Sequence, residues 1–203
     1  MFTGLIEQLG TLHSRVPTPA GQRLLIAAPG WTHKPALGES IAVNGCCLTL
    51  AADLAATNGL LAFDAIPETL AKTTLGELHP GDRVHLEHSA TLATLLGGHL
   101  VQGHIDGVGE VHTLNTQGEW RARIAPPRDL IEFFAPKGSI CVQGVSLTIM
   151  AINPGECWFE IALIPTTLAK TTLGELRAGS RVNLECDAIA KQIVHYLKHF
   201  GSR

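Results

Sequence analysis

"PETLAKTTLGEL", Pro67 to Leu78, returns 98 residues later as "PTTLAKTTLGEL", Pro165 to Leu176, with eleven of twelve positions the same. A shared connector would explain one such pair. A duplicated domain would carry the likeness along the whole chain, and it does. "GLIEQLG" (Gly4–Gly10) aligns with "GHIDGVG" (Gly103–Gly109), and "VNGCCLTL" (Val43–Leu50) with "VQGVSLTI" (Val142–Ile149). Beyond the opening pair, "GDRVHLE" (Gly81–Glu87) aligns with "GSRVNLE" (Gly179–Glu185). Four blocks in one order, at an offset of 98 or 99 residues, mark a tandem duplication. The unit is far longer than a solenoid repeat, so each copy is expected to be a domain with its own core.

Each half reads mostly as β. "RLLIAA", "ESIAV", "CLTLAA" and "RVHLE" are short apolar or alternating runs, split by "PTPAG", "LG", "NG" and "HPGD". The second half repeats this with "RARIA", "SICV", "SLTIMAI", "CWFEIALI" and "RVNLE". About six short strands per half fit a small closed or nearly closed barrel. The repeated string itself, with Ala and Leu behind a Pro, predicts a short helix ended by Gly76 or Gly174. "DAIAKQIVHYLKHF" closes the chain without a counterpart in the first half. Ile189, Ile193, Leu197 and Phe200 recur at helical spacing, and Asp187 stands where an N-cap belongs. The expected divisions are 1–97, 98–186 and a helix over 187–203.

Composition narrows the function. Charged residues are 16% and hydrophobic ones 45%, against about a quarter charged in ordinary globular chains. So lean a surface suggests cover by another subunit, with the last helix packing on its own copies in other chains. The net charge of -3 and the lack of a basic run argue against nucleic acid and anionic membrane. No 18-residue apolar stretch and no secretory signal is apparent. Five cysteines, without C-x-x-C spacing, suggest reduced thiols in a cytoplasmic protein. Ten histidines without a ligand-type spacing predict no metal site.

"MFTGLIE", "NGCCLTL", "GGHLVQGHIDGVGEV", "GVSLT" and the repeated dodecamer closely resemble the riboflavin synthase α-chain family, in family order and over essentially the whole chain. The resemblance implies an all-β fold: two tandem six-stranded Greek-key barrels and a C-terminal α-helix. It implies a homotrimer that converts two molecules of 6,7-dimethyl-8-ribityllumazine into riboflavin and 5-amino-6-(D-ribitylamino)uracil, without cofactor or metal. Lumazine synthase is a further partner it suggests. The site would lie between the N-terminal barrel of one subunit and the C-terminal barrel of its neighbour.

The resemblance also nominates residues. Cys47 and Ser146 are repeat partners, as are Thr49 and Thr148. A buried inert thiol is the plain alternative for Cys47, since free Cys is among the most buried residue types; strand packing is that for the threonines. Cys46 should face the other side of its strand. His104 has Leu5 as its repeat partner, so an imidazole serves one half only. His suits proton exchange near neutral pH, and two rings with opposite roles need unlike pockets. His99 shares the motif with a lesser role. Catalytic roles are expected for Phe2, Cys47, His104, Ser146, Thr148 and Asp187. The resemblance implies substrate contacts at Thr3, Gly4, Leu5 and Ile6; Leu48 beside Thr49; Gly103 and Ile105; Lys137; and Leu147. The edges of the repeated string would add Asp64, Ala65, Ile66, Pro67, Glu68 and Thr69 in one pocket. In the other they would add Ala162, Leu163, Ile164, Pro165, Thr166 and Thr167. Two positions depart from the family pattern and bear on the C-terminal pocket. Gln143 stands where Asp is expected, and Thr166 where a larger polar residue, often Glu, is usual. Two rivals are weaker. In non-catalytic lumazine proteins "GGHLVQGH" is degraded, and a flavin reductase would need a G-x-G-x-x-G that this chain lacks.

Overall fold

The computed structural model describes residues 1–201, so the last two residues of the expected 187–203 segment lie outside the described residues. The first half forms β1 (Gln8–Thr18), β2 (Gly21–Ala27), β3 (Ser40–Val43), β4 (Cys46–Thr49), β5 (Leu61–Ala65) and β6 (Arg83–His88). The second forms β7 (Gly107–Asn115), β8 (Trp120–Ala125), β9 (Ser139–Val142), β10 (Val145–Asn153), β11 (Trp158–Leu163) and β12 (Arg181–Cys186). Their neighbour orders are the same, β4-β3-β6-β1-β2-β5 and β10-β11-β8-β7-β12-β9 read round the ring. The second ring is a closed barrel. The first is a six-stranded sheet whose edges meet only at the Leu50–Phe63 bridge. Strand length accounts for this. β10 runs nine residues and pairs with β11, whereas β4 stops after four, before the 3-10 turn Leu54–Thr57. Alternation fills each interior: Leu24, Ile26, Ile41, Phe63 and Leu86 in the first half, Ile124, Ile140, Ile149, Phe159 and Leu184 in the second.

The repeated dodecamer forms the helices α1 (Pro67–Lys72) and α2 (Pro165–Lys170), each with Pro in its first turn. They stop sooner than the glycines suggest. Thr73 and Thr171 are extended, and their hydroxyls accept from the N–H two residues on and donate to the carbonyl of Thr69 or Thr167. Gly76 lies inside the 3-10 turn that follows, where a Cβ would sit 2.2 Å from the Leu70 carbonyl oxygen.

The halves dock about a pseudo-twofold axis. The tight turns of β3–β4 and β9–β10 meet there, and a Cβ on Gly45 would lie 2.7 Å from the Gly144 nitrogen. Two buried repeat partners then reach across. Asn183 accepts from the Thr74 N–H (2.7 Å) and donates to the Asn44 carbonyl (2.9 Å). His85 does the same with a ring: Nδ1 donates to the Gln143 carbonyl (2.7 Å), and Nε2 accepts from the Thr172 N–H (2.8 Å). This pattern requires the neutral Nδ1–H tautomer, and burial pushes the His85 pKa from 6.5 down to about 4.

Helix α3 (Ala188–Phe200) begins at Asp187, which accepts from the Ile189 N–H at 2.7 Å. Lys191 and Lys198 pair with Asp106 and Glu132 of the second barrel. Its apolar stripe does not dock there: Ile189, Ile193, Leu197 and Phe200 are each more than half exposed.

His85 gives the inter-barrel contact a pH dependence. A depressed imidazole pKa stabilises the fold above pH 6.5 and loses that contribution as pH falls toward 4, about 3 kcal/mol in all. His85→Asn should match wild type near pH 7, because Asn makes the equivalent bonds from Asn183. Denaturant unfolding across pH 4–7 should show the variant lacking this part of the acid sensitivity. Parallel curves would place the protonation elsewhere.

Candidate functional site

The segments ahead of β1 and β7, residues 2–6 and 101–105, do not stay with the barrels that follow them. They pair with each other first. The Phe2 N–H donates to the Val101 carbonyl (2.7 Å), and the Val101 N–H donates back (3.1 Å). Each then crosses. The Gly4 carbonyl accepts from the Ser146 N–H on the second barrel, and the Gly103 carbonyl from the Cys47 N–H on the first, both at 2.8 Å. Ile6 packs on the second core and Ile105 on the first.

Two buried carboxylates hold these segments. Glu87 accepts from the Thr3 N–H (2.6 Å), the Thr3 hydroxyl (2.7 Å) and the Gly4 N–H (3.1 Å). Glu185 accepts from the Gln102 N–H (2.6 Å) and Gly103 N–H (2.8 Å). Burial raises both carboxyl pKa values, and these donors oppose the rise. Both residues end the fourth repeat block, the sequence signal that could have singled them out. Glycine is required at the crossings. Gly4 and Gly103 have φ of +75° and +81°, and a Cβ would lie 2.6 Å from Ser146 Cβ and 2.5 Å from Cys47 Cβ.

Two repeat-equivalent sets of side chains result. In one, half-buried Cys47 and exposed Thr49 share a face of β4, while Cys46 turns into the core. The crossing segment delivers exposed His104 to this side. By sequence number His104 belongs with the second half; the structure carries it to the first. In the other, Ser146 and Thr148 share a face of β10, and Leu5 takes the place equivalent to His104. Here His99 supplies the imidazole. Its Nδ1 lies 2.7 Å from Ser146 Oγ, its Nε2 is buried without a partner, and its N–H donates to the Thr3 carbonyl (3.2 Å). Burial lowers the His99 pKa, opposed by the charge of Asp187. A neutral imidazole on a serine hydroxyl can exchange its proton at ordinary pH. A cavity of about 200 Å³ opens beside Ser146, between Gly4, Leu5 and Ile6 and the polar side chains of Thr166, Thr167 and Lys170.

Several nominated residues face elsewhere. Leu48, Ala65, Leu147 and Leu163 point into the barrel cores, so only their backbones face outward. Phe2 is buried against Ala42, Val101 and Cys141, a prop behind the crossing. Asp187 caps α3 and acts on His99. Lys137 is exposed in a left-handed turn, its Nζ 4.0 Å from Met150 Sδ, two residues beyond Thr148. Ile66, Pro67, Ile164 and Pro165 are exposed at the rims, and half-buried Ala162 lies beside them. Among the described residues no group of three or more His, Cys, Asp or Glu is placed to hold a metal.

A family model described as "Lumazine binding domain" matches the chain twice, over residues 3–89 and 102–187. A riboflavin synthase of Mycobacterium bovis is 42% identical over 203 residues, covering 99% of this chain and all of the relative. Among solved structures, LumP complexed with 6,7-dimethyl-8-(1'-D-ribityl) lumazine is similar with a TM-score of 0.80 and 28% identity. LumP complexed with riboflavin gives 0.81 and 30%. Each alignment covers 92% of this chain and 99% of the other.

The crossings predict a graded glycine series. Gly30 has φ +78° with nothing within 4 Å of a Cβ, so Gly30→Ala carries only the backbone cost, about 1 kcal/mol. Gly4→Ala and Gly103→Ala add a collision with Ser146 or Cys47 and should cost several times more. Thermal or denaturant unfolding of the three variants checks this. Equal losses would mean the crossing segments are loosely held.

Proposed function

The chain belongs to the riboflavin synthase family of lumazine-binding proteins, and on that premise we propose that it joins two molecules of 6,7-dimethyl-8-ribityllumazine. One molecule gives a four-carbon unit to the other, leaving riboflavin and 5-amino-6-(D-ribitylamino)uracil. The two products contain all the atoms of the two substrates, so the reaction balances without oxidant, reductant or cofactor. The observation that carries this reading is the pair of repeat-equivalent strand faces at Cys47 and Ser146, each met by the leading segment of the other half. A reaction between two copies of one compound suits two like sites, and fixing both rings in contact removes much of the entropic barrier.

The pockets must also differ, because one ring loses a proton from its 7-methyl group while the other accepts the fragment. Cys47 with His104 and Ser146 with His99 supply that difference. His104 exchanges the proton, Ser146 and Cys47 meet the rings, and Thr49 and Thr148 position them. Asp187 biases His99 through its charge.

The facing pockets belong to different subunits in this reading. The exposed stripe of α3 holds a homotrimer, at roughly 1.5–3 kcal/mol for each large apolar side chain buried, and the enzyme works in the cytoplasm. A second reading, a barrel pair that holds its lumazine unconverted, is favoured by the likeness to ligand-bound structures. Incubation with the lumazine separates the two. Riboflavin and the pyrimidinedione should appear in a one-to-one ratio, and chelator should not stop them. A bound but unchanged ligand would leave only the second reading.

Two variants test the parts. His104→Gln should lower kcat and kcat/KM together, by roughly 10²-fold, as loss of a proton-transfer group does; a rise in KM alone would make it a binding residue. Truncation after Asp187 should give a folded monomer in sedimentation that makes little riboflavin. A fully active monomer would rule out a site shared between subunits.

A further inference from the structure

One histidine pair does keep a ligand spacing, contrary to the expectation of none. "HYLKH", His195–His199, sets two of the ten histidines four residues apart. Both lie on α3, where side chains four apart share a face. Their rings are neighbours, with centroids 4.6 Å apart and planes tilted by 50°. Both residues are exposed. Among the described residues the ion pairs of this helix are made by its lysines and none by these rings. A second close pair, His33 and His88, differs in both respects. Its rings are stacked at 4.3 Å and 17°, and each has a nitrogen on a carboxylate, Glu39 or Glu7. The lone pair of an imidazole nitrogen lies in the ring plane, so parallel rings cannot aim at one ion, whereas tilted rings on adjacent turns can.

The surroundings favour a cation. The pair stands in the last two turns of α3, where carbonyls without helical partners give the helix end a partial negative charge. A cleft of about 350 Å³ lies beside it, between α3 and the 3-10 turn Ile131–Phe133. Lys191 and Lys198 border this cleft, but each is neutralised, Lys191 by Asp106 at 2.9 Å and Lys198 by Glu132 at 2.6 Å. Gln192, one turn before His195 on the same face, also lines it. Its amide oxygen can accept from water on a bound ion. His195 stands roughly 12 Å along the axis from the cap at Asp187, outside the sets of side chains around Cys47 and Ser146.

We propose that His195 and His199 form a bidentate site for one late first-row divalent transition ion per chain, Zn²⁺, Ni²⁺ or Cu²⁺, with water completing the coordination. Imidazole nitrogens suit these ions and not Mg²⁺ or Ca²⁺, which take oxygen ligands. The chelate spans adjacent turns, so a bound ion pins the end of α3, the part that carries the exposed Leu197 and Phe200. The ion takes no part in riboflavin formation.

Equilibrium dialysis of the untagged full-length protein against Ni²⁺, Cu²⁺, Zn²⁺ and Mg²⁺ tests this. One transition ion per chain should bind, Cu²⁺ more tightly than Ni²⁺ or Zn²⁺, and Mg²⁺ should not. His195→Ala and His199→Ala should each weaken Ni²⁺ binding by roughly 10²-fold, because loss of either imidazole ends the chelate and its gain in effective concentration. Alanine is the best helix former, so α3 persists in both variants, and circular dichroism checks that it does. The double variant keeps the other eight of the ten histidines, so any ion it still holds is adventitious. Bound Ni²⁺ should slow amide exchange at Leu197 and Phe200 in the wild type and not in the double variant. The proposal is overturned by single or double variants that bind Ni²⁺ like the wild type, by Mg²⁺ held as tightly as Ni²⁺, or by unchanged exchange at the helix end with the ion bound.

Discussion

Two backbone hydrogen bonds fix the rest of this molecule, from the Cys47 N–H to the Gly103 carbonyl and from the Ser146 N–H to the Gly4 carbonyl. Each ties a strand of one barrel to the segment leading into the other. The leading segments must approach so closely that only glycine fits, and a buried glutamate must collect their N–H groups, which would otherwise be stranded away from water. Neither half therefore owns its pocket. The wall beside Cys47 comes from residues 103–105, and the wall beside Ser146 from residues 4–6.

That exchange explains why a duplicated chain can be chemically asymmetric. The docking elements stay paired across the pseudo-twofold axis: Gly45 with Gly144, Glu87 with Glu185, and His85 with Asn183, where a ring and an amide present donor and acceptor to equivalent groups. The side chains that face outward have diverged. Cysteine stands opposite serine, histidine opposite leucine, and an engaged glutamate opposite threonine. A frame held by backbone and buried polar groups leaves its rims free to change without cost to the core.

The sequence revealed the doubling because repeated blocks survive wherever backbone geometry is fixed. "NG" and "QG" make the tight turns, "CLT" and "SLT" the site strands, and the last Glu of "RVHLE" and "RVNLE" the clasp. Alternation placed Cys46 inward and Cys47 outward. The crossing was not legible, because nothing local in residues 101–105 says which barrel they cover. His104 consequently belongs to the opposite pocket from the one its number suggests, and His99 gains a contact with Ser146 that its motif alone did not show. Gly76 misled for a different reason. The preceding threonine ended the helix with its own hydroxyl, and the glycine serves a close approach to Leu70. The apolar stripe of α3 was readable by period, and in the single chain it lies exposed.

Hydrogen exchange at single amides addresses the crossing most directly, using Glu185→Gln. Glu185 lies in the second barrel, and its carboxylate accepts from the Gln102 and Gly103 N–H groups, so it holds the segment that covers Cys47. The variant should lose protection at the Cys47 amide while the ladder amides of Leu24 and Phe63, in the same barrel, exchange as in wild type. Unchanged protection at Cys47, or loss spread evenly through the first barrel, would contradict the exchange of segments as the constraint that builds the site.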